Sequence, residues 1–151
     1  MISEVSFEGT TFNELPYKFE AGTPNITSVV AFGAAIDLIN EIGLKNIAEW
    51  EEHLLDYATI QLKQISGLKI YGEAPEKSSV ISFNIEGIHS YDLGMLLDKL
   101  GVAVRTGHLC ADTVMHHYGI QGCVRISFGM YNTIDEIDEF MVALKKVFVM
   151  F

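Results

Sequence analysis

The spacing of apolar residues changes at Gly67, and that change constrains the fold more than any other feature. Before it, Ile47, Trp50, Leu54, Tyr57, Ala58, Leu62 and Ile65 recur at helical intervals, predicting one amphipathic helix over about 47–65. After it, Leu68, Ile70 and the run Val80-Ile81-Ser82-Phe83-Asn84-Ile85 have the length and composition of strands. A short helix follows from Ser90, with Leu93, Leu96, Leu97 and Leu100 facing inward. Val102-Ala103-Val104-Arg105 and Val124-Arg125-Ile126-Ser127-Phe128 predict two further strands, separated by a loop that contains Gly107. Thr133 and Glu136 have capping-box spacing and open a last helix with Ile137, Phe140, Met141, Leu144 and Phe148 on one side. Strands and helices mix without regular βαβ alternation. The predicted class is α+β, a small and mostly antiparallel sheet with helices packed on one face.

Two segments precede this pattern. Ile26 to Ile42 is apolar on most sides and predicts a buried helix, opened by the turn Gly22-Thr23-Pro24-Asn25 and ended by Gly43. Met1 to Glu20 carries Phe7, Phe12, Leu15, Tyr17 and Phe19 among turn and polar residues, with no helical period. It reads as an arm or loop that needs something to pack on. The chain has 151 residues, 49% of them apolar, enough for one core with apolar surface left over for burial against something else.

Charge narrows the function classes. Ten Lys and Arg stand against 20 Asp and Glu, a net −10, and no basic stripe offsets that field. Nucleic-acid backbones and anionic lipid are disfavoured partners. No apolar stretch is long enough to span a bilayer, and no secretory signal is visible. Two cysteines, Cys110 and Cys123, fit a reducing cytoplasm better than a disulfide framework.

Several residues could carry chemistry. Cys110 lies in a loop leaving a strand, with Arg105 and His108 close in sequence; a nearby cation and imidazole could stabilise its thiolate, the attacking form. The plain alternative is a small residue in a turn. Arg125 lies inside an apolar strand and offers a fork that matches a carboxylate. From the residues alone, the solvent face of an edge strand or a salt bridge to an acid is preferred. Thr23 and Asn25 precede a helix start that favours phosphate. A simple N-cap with Pro24 as an early helical residue is again preferred. His108, Cys110, His116, His117 and Cys123 are ligand types for zinc, but their spacing is poor and no metal is expected. No acid pair reads as catalytic.

Taken in order, Phe19-Glu20-Ala21-Gly22-Thr23-Pro24-Asn25, Arg105-Thr106-Gly107-His108-Leu109-Cys110-Ala111, Cys123-Val124-Arg125-Ile126-Ser127 and Tyr131-Asn132-Thr133 resemble the C-terminal end of a class V aminotransferase-fold cysteine desulfurase or selenocysteine lyase. The match is to the group with the Arg-Thr-Gly-His-x-Cys-Ala loop and covers essentially the whole chain. The cysteine loop is highly specific; the Gly-Thr-Pro-Asn turn is less so. The resemblance implies the small C-terminal domain of a fold-type I pyridoxal-phosphate enzyme, preceded by an arm and helix from a large domain. The boundary is drawn so that 1–25 belong to that large domain and 26–151 form the small one.

It also implies roles. Cys110 matches the nucleophile that attacks the substrate sulfur and becomes a persulfide. Arg125 matches the clamp on the substrate carboxylate, and Arg105 an active-site arginine beside the substrate. Thr23 matches a threonine that reaches the cofactor phosphate of the partner subunit in a homodimer. These assignments reverse the preferences above for Arg125 and Thr23. His108 takes no role, and Leu109 stands where many members have a second histidine. The family's Schiff-base lysine, the histidine that stacks on the ring and the aspartate on the pyridine nitrogen lie upstream in the large domain, and no lysine here matches the cofactor-bearing motif.

The implied activity is conversion of L-cysteine to L-alanine for iron–sulfur cluster assembly, with a sulfur-acceptor protein, a homodimer and a cytoplasmic setting. The chain is expected to be an excised domain or truncated product, inactive alone. L-selenocysteine as substrate, or a non-catalytic domain for dimerisation or partner binding, are the alternatives.

Overall fold

A computed structural model describes all 151 residues. They fall into two compact units, Met1–Gly43 and Leu44–Phe151. The boundary drawn from the sequence, at residue 25, falls inside the first of these units.

In the first unit, the arm is more regular than its sequence suggests. Strand β1 (Ile2–Val5) pairs antiparallel with β2 (Thr10–Phe12), and Ile2 stands opposite Phe12. The Ser6 amide donates to the Gly9 carbonyl at 2.9 Å and closes the turn between them. Helix α1 (Ile26–Ile42) has the bounds its sequence predicts. Asn25 caps it, its side chain accepting from the Ser28 amide at 3.2 Å. Gly43, at φ 88°, ends it with its amide on the Ile39 carbonyl. The expectation that α1 is buried fails, because none of its residues is buried. Val29, Val30 and Phe32 are each about two-thirds exposed. Such a helix keeps the composition of a core element without the neighbours that would make it one.

The second unit contains α2 (Leu44–Leu62), β3 (Leu68–Tyr71), β4 (Val80–Ile85), α3 (Ser90–Lys99), β5 (Arg105–Gly107), α4 (Asp112–Tyr118), β6 (Cys123–Ser127) and α5 (Ile134–Phe148). Its sheet has the order β3-β4-β6-β5, and every neighbouring pair is antiparallel. Residues alternate across a strand, so one face of β4 carries Ile81, Phe83 and Ile85 and the other Val80, Ser82 and Asn84. Register sets Ile126 beside Ile81 and Val124 beside Phe83 on the apolar face. Helices α2, α3 and α5 bury Leu54, Leu62, Leu93, Leu97 and Leu144 in the same core. Each such side chain contributes about 1.5–3 kcal/mol on leaving water. Phe83 and Phe140 meet edge to face, ring centres 6.4 Å apart.

Two details differ from the sequence expectation. The strand expected at Val102 to Arg105 is instead β5, Arg105–Gly107. Val102 and Val104 are apolar because they pack on the core from the preceding loop, with the Val102 amide held by the Leu97 carbonyl. Helix α4, only seven residues long, carries too few turns for its period to register. Its Tyr118 meets Tyr71 of β3, ring centres 5.1 Å apart, on the sheet face turned from the core.

Candidate active site

That second face carries the polar residues. Antiparallel register aligns Tyr71 with Ser82, Ser82 with Arg125, and Arg125 with Arg105, one row across all four strands. Arg105 and Arg125 are the only arginines of the chain. Like charges directly opposite one another destabilise a sheet. The ion pairs of the chain are Lys45–Glu49, Lys63–Glu73 and His108–Asp112, so no carboxylate neutralises either guanidinium. The Arg125 Nε is buried and has no acceptor. An unsatisfied buried donor costs about 1–3 kcal/mol. Strand β6 is interior, which removes the edge-strand alternative for Arg125; the absence of an acid partner removes the other. The row has the form of a seat for a carboxylate, which a planar guanidinium binds with two parallel hydrogen bonds.

The next row along the strands holds Gly107 opposite Cys123, with Asn84 following Phe83 on β4. Cys123 is buried, and burial pushes its thiol pKa up against the smaller opposing effects of the Ser82 hydroxyl and the Arg125 charge. Asn84 Nδ2 donates to the Gly122 carbonyl at 2.8 Å, while its Oδ1 is buried without a donor.

Cys110 is exposed, at the tip of a turn beyond β5. The Ala111 amide donates to the His108 carbonyl at 2.9 Å, and both residues between them are left-handed: Leu109 at φ 56° and Cys110 at φ 57°. Residues with a Cβ adopt that region at a cost of about 1–2 kcal/mol each. His108, to which the resemblance assigned no role, has its Nδ1 at 2.7 Å from Asp112 Oδ1. Beside the turn lies a cavity of about 390 Å³ lined by His89, Tyr91, Thr106, Gly107, His108 and Gln121.

Thr23 lies in the exposed turn before α1, in the first unit. No three His, Cys, Asp or Glu side chains gather as a metal site, and both cysteines are free thiols. The Tyr131-Asn132-Thr133 motif has a structural use. Asn132 accepts the Gly129 amide through Oδ1, its carbonyl accepts the Trp50 indole N–H, and Thr133 with Glu136 forms the capping box of α5. These bonds to Asn132 and Thr133 hold the Glu136 carboxyl below its usual pKa.

Sequence reasoning did not single out Tyr71, Ser82 or Asn84. For Ser82 and Asn84 the signal was two polar residues, two positions apart, inside the apolar run of β4.

Comparison with known proteins places this arrangement in a family. The aminotransferase class-V family model matches residues 1–140. A protein of Xylella fastidiosa (strain Temecula1) named "Probable cysteine desulfurase" is 48% identical over 147 residues, covering 97% of this chain and 35% of that protein. The crystal structure of the Escherichia coli cysteine desulfurase CsdA superposes with a TM-score of 0.87 at 31% identity, over 99% of this chain and 37% of that one. The cysteine desulfurase of Thermococcus onnurineus NA1 gives a TM-score of 0.85 at 37% identity, over 97% and 37%. The chain thus spans about a third of the length of the curated relatives it matches. With the whole α+β sheet and the cysteine turn inside that match, the chain belongs to the aminotransferase class-V family.

Proposed function

We propose that this chain is the C-terminal part of a pyridoxal-phosphate-dependent cysteine desulfurase, which converts L-cysteine to L-alanine and leaves the sulfur on Cys110 as a persulfide. The observation that carries this reading is the facing pair Arg105 and Arg125, without an acid partner and with the Arg125 Nε buried and unmatched. An amino-acid carboxylate satisfies both deficits at once. The exposed Cys110 turn supplies the second requirement, a thiol free to approach a bound sulfur.

The family's cofactor fits this chain in part. The Thr23 hydroxyl, in the exposed turn before α1, is a donor suited to the cofactor phosphate and would be contributed to the partner subunit of a homodimer. The lysine that holds the cofactor comes from the large domain. Bound pyridoxal phosphate supplies an electron sink that weakens the substrate Cβ–S bond. The residues of this chain do the rest. Arg125 and Arg105 clamp the carboxylate and so fix the substrate's orientation. Cys110, as thiolate, forms a new S–S bond to the substrate sulfur as the Cβ–S bond breaks. One sulfur atom passes from L-cysteine to Cys110, and L-alanine leaves. An exposed Cys110 then hands the persulfide to a sulfur-acceptor protein for iron–sulfur assembly. No single helix of the chain is long and apolar enough to cross a membrane, and the reading places the enzyme in the cytoplasm.

The test uses the complete enzyme. Cys110→Ala is expected to abolish sulfur release while the visible absorbance of the cofactor stays. Persistent sulfur release from that variant would show that another group is the nucleophile.

A further inference from the structure

We infer that Asn84 is a positioning residue for Cys110, acting through the contact of Gly122 with Gly107; the inference rests on the desulfurase reading for its catalytic consequence only. The path can be followed atom by atom. Asn84 Nδ2 on β4 donates to the Gly122 carbonyl at 2.8 Å, which ties the residue just before β6 to the neighbouring strand. Gly122, at φ 150°, lies flat against β5: a Cβ there would stand 3.1 Å from the Gly107 Cα and carbonyl carbon and 3.2 Å from its oxygen. Gly107, at φ 100°, is the last residue of β5, and His108 after it begins the turn that carries Cys110. The seat of Gly107 on Gly122 therefore sets one foot of the turn. Asp112, which starts α4, sets the other.

Two properties favour positioning over plain stabilisation. First, the turn holds two left-handed residues with side chains, a conformation that persists only where its surroundings over-determine it. Second, Asn84 leaves its Oδ1 buried without a donor. An apolar residue would avoid that orphan acceptor, so the amide is a poor choice for stability alone. Its one satisfied bond goes to the carbonyl that fixes Gly122. A supporting hydrogen bond of this kind is what keeps a reactive side chain within its productive geometry.

The test compares Asn84→Ala and Gly122→Ala with the unaltered chain. The first removes the donor; the second presses a methyl group onto Gly107, so either variant can carry the test if the other folds poorly. Amide hydrogen exchange reads the turn without any catalysis, at the Ala111 N–H that closes it and at Leu144 in the core. Exchange at Ala111 is expected to rise about tenfold more than exchange at Leu144, the effect of losing one supporting bond. In the complete enzyme, kcat is expected to fall by about the same factor with KM for L-cysteine little changed, because the arginine row is untouched. Equal changes at Ala111 and Leu144, or none at Ala111, would overturn the inference and make Asn84 a residue of stability only. A complete unaltered enzyme without desulfurase activity would instead overturn the functional reading and leave the exchange result standing.

Discussion

Arg105 and Arg125 stand on neighbouring strands with no carboxylate of the chain between them. In a chain with twice as many acids as cations, that isolation is a choice of position rather than a shortage of partners. Removing one guanidinium removes a charge-assisted pair, worth about 1.5–3 kcal/mol. Arg125→Ala in the complete enzyme is therefore expected to raise KM for L-cysteine by roughly tenfold to a hundredfold. An unchanged KM would place the carboxylate elsewhere. The two thiols are expected to separate just as cleanly. Burial raises the Cys123 pKa, so at neutral pH its thiolate is scarcer still, and reagents cannot reach it. One thiol, Cys110, is expected to react quickly in the folded chain and the second only after unfolding; two equally fast thiols would contradict the burial of Cys123. At this scale the sequence was informative but incomplete. Cys110, Arg105 and Arg125 were legible as residue types in a motif. Their facing register was not, because strand pairing brings together residues that are 20 positions apart. His108 shows the same limit, since its partner Asp112 lies four residues further on, on a helix with too short a period to read.

Elements with a long apolar period were the most legible. The stripe from Ile47 to Ile65 became α2, and the run Val80–Ile85 became β4. The spacing of Thr133 and Glu136 became a full capping box. Short elements were misplaced: β5 sits three residues beyond its expected start, because Val102 and Val104 supply core contacts from a loop. The hairpin of β1 and β2 was missed for want of any apolar alternation. The contact between α3 and β5 shows what sequence spacing cannot give. A Cβ on Gly94 would lie 2.3 Å from Thr106 Cγ2, and Thr106 is held in the strand beside Arg105. Alanine in a helix gains about 1 kcal/mol over glycine. Here overpacking opposes that gain with about 1–3 kcal/mol. Gly94→Ala is expected to lower the denaturation midpoint despite its better helix propensity. A raised midpoint would mean that α3 can move off the sheet freely.

On the scale of the molecule, the core and the facing arginines occupy opposite faces of one sheet. Leu54, Phe83, Leu97 and Leu144 fill the helix-covered face, and the other face is free to hold a row of polar side chains. The large apolar fraction of the sequence hinted at surface meant for burial, and α1 with no buried residue is where much of it lies. That surface belongs to a chain that spans about a third of the length of the curated relatives it matches. The most direct test of the account is the mass of the Cys110 peptide after the complete enzyme has met L-cysteine. The account predicts a gain of one sulfur atom on Cys110, lost on reduction, with the Cys123 peptide unchanged. Sulfur found on Cys123, or on neither cysteine while L-alanine accumulates, would contradict it.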